Sequence, residues 1–314
     1  MLDWQSAQED GGEALTQRVS RDRLQVVSSK VSVWTRLLRI WTYRALLLSL
    51  VRKELSVKYK NSILGFAWSM LNPALTLIVY YVVFQLVLKN GIPQFAIFLL
   101  CGLVIWNFFS TALSGATTSV VANAGIVKKV SFPREVLPLA SVGSSLVFFF
   151  LQVIVLVIAL IIARDLPAFT YLPLIVPALV DLVLLAAAFS VFLSAVNVYF
   201  RDTQHLLEIV LMAWFWGTPV VYAYQTIAVP LAHRHIGWIY LLNPVTAVVL
   251  TFQRALYAKV SPVLATGSVM KILPGNSPVW YLAQLAIVFV VSCVLLVIAL
   301  AIFGRMEGNF AEEL

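Results

Sequence analysis

Apolar residues fall in long unbroken runs at 66–88, 95–122, 136–163, 171–200 and 279–304. Each run reaches the about 20 residues that carry a helix across a bilayer. A sixth run, 209–224 (IVLMAWFWGTPVVYAY), is shorter and breaks at Gly217-Thr218-Pro219. Continuous runs, with no polar–apolar alternation, select helices over a transmembrane barrel. The pattern therefore predicts an all-α polytopic membrane protein with six transmembrane helices. Residues 225–278 are only weakly polar, and IGWIYLLNPVTAVVLTF within them is interrupted by Asn243-Pro244. A segment too broken to span, beside a short helix, predicts re-entrant half-helices before the last span. Such backbone needs protein or a water-filled cavity around it; the alternative is an external interfacial helix.

Ahead of the first run, WTRLLRIWTYRALLLSLVRKELSVK has a different period. Trp34, Leu37, Leu38, Trp41, Ala45 and Leu48 share one helical stripe, with Arg36, Arg39 and Tyr43 turned away from it. Tryptophan and leucine opposite arginine predict an amphipathic helix in the membrane interface, over 34–60. Residues 1–33 are polar, lack the apolar core of a secretory signal, and are expected to form a loosely held cytoplasmic tail. The organisation expected is thus the tail 1–33, the interfacial helix 34–60, a six-span domain 61–305 and a C-terminal tail 306–314. Asn72-Pro73 should kink or unwind the first span.

Composition sharpens this. The chain of 314 residues is 61% hydrophobic and 11% charged, against about 25% charged in a soluble domain. The net charge of +8 raises nucleic acid as a partner, but its distribution argues for membrane topology. With the N-terminus inside and alternating spans, sixteen Lys/Arg fall on the cytoplasmic side and six outside. That is the positive-inside pattern, so both termini are expected in the cytoplasm.

Chemistry-bearing residues are sparse. Cys101 and Cys293 sit inside apolar runs and offer neither a disulfide framework nor metal spacing. His233-Arg234-His235 reads as a solvated loop cluster, and His205 lies on the opposite side. No phosphate-cradling glycine loop and no catalytic motif occurs, so the chain itself holds no cofactor and is not expected to be an enzyme. Asp181 is the one acidic residue deep in a long run. It is a functional candidate by default and leaves an ion-coupled carrier or channel open as an alternative.

Five stretches then line up in order: KYKNSILGFAWSMLNP, VANAGIVKKVSFPREVLPLA, NVYFRDTQHLLEIVL, GTPVVY and LLNPVTAVVLTFQRALY. Together they resemble the permease subunit of ABC-type polysaccharide exporters, the Wzm-like family, over about residues 34–305. The resemblance implies export of a polyprenyl-diphosphate-linked polysaccharide (O-antigen, teichoic acid or a cell-wall galactan precursor) across a bacterial inner membrane. The implied partners are a separate ABC ATPase, which would bind ATP and Mg, a second copy of the chain, the glycan and membrane lipids, with no nucleic acid. A small-molecule ABC exporter is the nearest alternative. By the same resemblance the loop 123–135 is a coupling element docking in the ATPase. Val127, Lys128, Lys129, Phe132, Pro133 and Arg134 would be its contacts, joined by Arg201 and Asp202 of the loop 200–208. Trp68, Tyr80, Phe84, Trp214 and Phe215 would line the glycan conduit. Arg36, Arg39, Arg44, Arg52 and Lys53 would meet the lipid diphosphate and headgroups.

Overall fold

The computed structural model describes residues 33–59, 67–233, 237–262 and 269–314. The tail 1–32, Arg234, His235 and the side chains of Trp68 and His233 lie outside the described residues.

The protein is a polytopic helical membrane protein. The N-terminal segment forms α1 (Val33–Thr42) and α2 (Arg44–Tyr59), parted at Tyr43. The apolar runs become α3 (Ala67–Tyr81), α4 (Phe95–Ala122), α6 (Val136–Ala163), α7 (Ile175–Tyr199, preceded by a 3₁₀ turn) and α11 (Pro278–Met306). Between them lie the one-turn α5 (Ala124–Val127), α8 (Thr203–Trp216), α9 (Tyr224–His233) and α10 (Pro244–Phe252). The C-terminus ends in a 3₁₀ turn and α12 (Phe310–Glu313). Four helices are long and apolar enough to cross a membrane, namely α4, α6, the stretch Leu172–Tyr199 and α11 with its extension to Asn309. Pro73–Val87 adds a shorter apolar segment.

Two boundaries differ from expectation. Helix α3 continues through Pro73 without unwinding and is followed by a π-helix, Val82–Val87. The loop expected at 200–208 shrinks to Phe200–Asp202, because Thr203 already starts α8. The reason is packing. Thr203, Leu207, Leu211 and Phe215 recur every four residues and form the buried stripe of α8, which overrides the local polarity of Arg-Asp-Thr-Gln-His.

The bundle is built around α4, the most enclosed of the long helices, packed against α6 and α7, with α11 lying along α7. The helix α10 is buried at Val245 through Phe252 and touches α4, α7 and α11. The part of the interrupted 225–278 region that forms α10 is thus packed on protein. Gly102 of α4 makes room for the turn after α8: a Cβ there would stand 3.1 Å from the Val220 Cα.

One residue holds this turn and α10 together. The Asn243 side chain caps α10 by accepting from Val245 N–H at 3.1 Å and also accepts from Trp214 Nε1 at 2.9 Å. Its amide donates to Gly217 O at 3.1 Å and Thr218 Oγ1 at 2.9 Å. Gln253 Nε2 donates to Pro219 O at 3.0 Å. Asn243→Ala removes the cap and strands the indole N–H, and is expected to cost about 1–3 kcal/mol. Thermal unfolding of the purified protein in detergent checks this, with Gln253→Ala as the weaker neighbour.

Candidate functional site

The apolar core divides into two clusters. The larger occupies the middle of the bundle and the end bearing Asp165. The smaller gathers Leu50, Val51, Val120, Val127, Val136, Val198, Phe303 and Phe310, and so marks the opposite end. There the 123–135 loop, α2, the α7–α8 turn and the C-terminus meet.

The loop is a short helix seated on that cluster. Asn123 ends α4 by donating its side-chain amide to Ser119 O at 2.8 Å, while its Oδ1 accepts from Lys53 Nζ at 2.9 Å. The helical bonds continue past α5, with Val130 N–H to Ile126 O at 3.0 Å. Val127 is buried and Phe132 half-buried, both on the small cluster. Pro133 and Arg134 accept from the N–H groups of Val136 and Leu137, turning the chain into α6. The outward face is therefore Ile126, Lys128, Lys129 and Val130, all exposed. Sequence reasoning counted Val127 and Phe132 among the contacts, which the structure turns onto the inner cluster, and passed over Ile126 and Val130. Their four-residue spacing was visible, but which side of so short a helix faces inward depends on Val127 finding its pocket. Arg201 and Asp202 are exposed in the α7–α8 turn at the same end.

Beside the loop stands a buried ion cluster. Arg36 of α1 is 8% exposed. Its guanidinium pairs with Glu135, and its Nη2 lies 2.8 Å from Glu307 Oε1. Arg134 donates to Glu307 O and lies over the Phe310 ring at 5.8 Å. Tyr199 donates its hydroxyl to Met306 O at 2.9 Å. Burial opposes the charge on Arg36, but the hydrogen bond and charge of Glu307, and then Glu135, outweigh it and raise its pKa. Gly304 is needed for the fit, since a Cβ there would come 2.4 Å from the Arg36 Cζ. The cluster ties α1, the exit of the loop and the C-terminal tail into one unit.

Arg36 therefore does not stand among the headgroup contacts expected of it. It turns into the protein because Glu135 and Glu307 offer it the only compensation that lets a guanidinium be buried. Arg39, Arg44 and Arg52 are exposed, and Arg44 lies 5.8 Å from the Trp41 ring centroid. The Trp34–Leu38–Trp41 stripe faces away from the protein, with Trp34 69% and Trp41 70% exposed.

Of the expected conduit residues, Tyr80, Phe84 and Phe215 form one aromatic seam between α3 and α8. Tyr80 stacks on Phe215 with centroids 5.7 Å apart, and Phe84 meets Tyr80 at 6.2 Å. Trp214 packs instead on Phe109 and Phe189, at 5.1 and 5.6 Å. Phe215 is buried within the protomer and Trp214 half-buried, whereas Trp216, 51% exposed, is the open aromatic of α8. The four-residue stripe of α8 explains the exchange. Asp181 is buried in α7, with its Oδ2 unpartnered among the described residues. No cluster of three or more potential metal ligands occurs among those residues.

These features describe a helical membrane bundle with an exposed loop helix at one end. Residues 45–257 match the ABC-2 type transporter family, and the chain belongs to that family. It is 33% identical to the O-antigen export system permease protein RfbA of Myxococcus xanthus over 275 residues, covering 88% of this chain and 97% of that protein. Two RfbA permeases of Klebsiella pneumoniae are each 30% identical, covering 86% of this chain and 95% of theirs. The resemblance to polysaccharide-exporter permeases read from the five motifs therefore holds. The chain is the membrane subunit of an ABC exporter.

Proposed function

We propose that this permease exports a polysaccharide carried on a polyprenyl diphosphate across the bacterial inner membrane, powered by a separate ATPase. The observation carrying this reading is the match to O-antigen export permeases along nearly the whole of both chains. Two copies would pair, each with six spans and both termini in the cytoplasm, so that the Asn123 end faces the ATPase. The ATPase would bind ATP and Mg. Ile126 and Val130 would supply apolar contact, and Lys128 and Lys129 charge, for docking.

The contacts around the loop give a route for the stroke. Movement of α5 would pull α2 through the Asn123–Lys53 bond, and movement of Glu135 would pull α1 and the tail through Arg36. The exposed apolar side chains of α3 and α8, among them Ile78, Val82, Ile209, Met212 and Trp216, would meet the second copy or line the conduit. Exposed arginines of α1 and α2 would sit at headgroup level.

Vesicles holding the permease and its ATPase test this. Radiolabelled polyprenyl-diphosphate glycan in the outer leaflet should pass to the lumen only with ATP and Mg. Transport that survives without nucleotide and fails in Asp181→Asn would overturn the reading in favour of an ion-coupled carrier.

A further inference from the structure

A groove of about 600 Å³ lies between α2, α4 and α6, beside the coupling loop, within the size range of small-molecule sites. Two lysines and a glutamate reach into it from consecutive turns of α2. Glu54 accepts from Ser141 Oγ at 2.8 Å and Ser144 Oγ at 2.7 Å, one on each carboxylate oxygen. It thereby ties α2 to α6 and fixes the wall of the groove, while its charge acts on Lys58 of the same helix. Neither lysine forms an ion pair among the described residues. Lys53 meets only the neutral Oδ1 of Asn123. Lys58 lies 4.3 Å from the centroid of the Phe148 ring and has no ion-pair partner among the described residues. An ammonium has three donors, so both retain capacity for an anion.

Depth narrows the ligand. Phe148 stands ~18 Å along α6 from Val136 at 1.5 Å per residue. Helix α6 is ~42 Å long against a hydrocarbon layer of ~30 Å. The groove therefore runs from the headgroup layer into the first part of the hydrocarbon. Its rim matches that passage, with Leu50, Val57 and Phe148 apolar and Thr118 and Ser145 hydroxyl-bearing. A free metabolite would not need the apolar rim, and a hydrocarbon chain alone would not need the lysines.

We propose that this groove binds the phosphate of a lipid headgroup, with Lys53 and Lys58 as the cation pair and the lipid chain leaving past Phe148. The phosphate could belong to a resident phospholipid or to the polyprenyl diphosphate of the cargo. The inference needs only that the chain is membrane-embedded, so its failure would leave the exporter reading standing.

The test titrates the delipidated full-length protein, in dodecyl maltoside, with phosphatidylglycerol, undecaprenyl diphosphate or diacylglycerol, and counts bound lipid by native mass spectrometry. Wild type should hold at least one phosphate lipid and not diacylglycerol. Lys53→Gln with Lys58→Gln should weaken that binding about thirtyfold, from about 1 kcal/mol per cation. Ser145→Phe, which fills the groove without touching charge, should also abolish it, while Lys271→Gln on the opposite side should change nothing. Preference for phosphatidylglycerol makes it a resident-lipid site; preference for the diphosphate makes it a cargo site, and either supports the proposal. Equal binding by wild type and the double lysine variant, or equal binding of diacylglycerol, would overturn it.

Discussion

Replacing Arg36 by methionine is expected to destabilise the protein by about 3–5 kcal/mol, because it leaves the buried Glu135 carboxylate without its cation, beside the half-buried Glu307. Methionine keeps the unbranched apolar stem but ends short of the guanidinium, so some lost packing adds to the charge effect. Glu135 is 1% exposed and cannot recover its hydration by turning outward. The cluster loses its central cation while Arg134, held on Glu307 O, is too committed to replace it. The measurement is thermal unfolding in detergent, and the control is restoration. Adding Glu135→Gln and Glu307→Gln to Arg36→Met should recover most of the loss, since neutral partners tolerate burial far better than unpaired ions. Gly304→Ala should fail in the same direction by a smaller amount, because it displaces the guanidinium without deleting it. A triple variant as unstable as Arg36→Met alone would mean that packing, and not charge, holds α1 to the C-terminal tail.

Charging the outward face of the 123–135 loop, the proposed coupling element, should weaken ATPase binding far more than the permease fold. Ile126 and Val130 are 38% and 56% exposed, so aspartate at both leaves the fold intact. At a docking surface the same change would bury two carboxylates against an apolar groove and cancel the attraction of Lys128 and Lys129. Central apolar contacts are worth about 2–4 kcal/mol each when removed, so Ile126→Asp with Val130→Asp should raise Kd at least ~100-fold. Titration of the purified ATPase onto nanodisc-held permease checks this. Phe132→Ala should behave oppositely. Its ring packs on the inner core cluster, so it should lower the unfolding temperature while affecting affinity less.

The elements that follow from hydrophobic run length were legible in the sequence. The long helices begin and end within a few residues of the runs, since a bilayer demands length and apolarity and little else. The Trp34–Trp41 stripe was legible for a different reason, the helical spacing of its apolar residues. What escaped depends on pairing across the chain. Arg36 has the same local pattern as Arg39, yet Glu135 and Glu307, distant in sequence, draw it inside. Trp214 and Phe215 looked interchangeable with Trp216, and only the register of α8 on α4 separates buried from open. Ile126 and Val130 were hidden because a single turn of helix has no period long enough to show its inward side. Glu54 and Lys58 sat in a segment read as an interfacial helix, and their groove exists only once α6 supplies Ser141, Ser144 and Phe148.

The measurement that bears most directly on the central claim is affinity purification of the chain from its native membranes, followed by identification of co-purifying proteins and assay of ATP hydrolysis in the eluate. An ATP-driven exporter predicts an ABC ATPase in the eluate of wild type, with hydrolysis, and its loss from the Ile126→Asp, Val130→Asp variant at unchanged permease yield. An intact permease that carries no ATPase and hydrolyses no ATP, under conditions where its own self-association survives, would contradict the account.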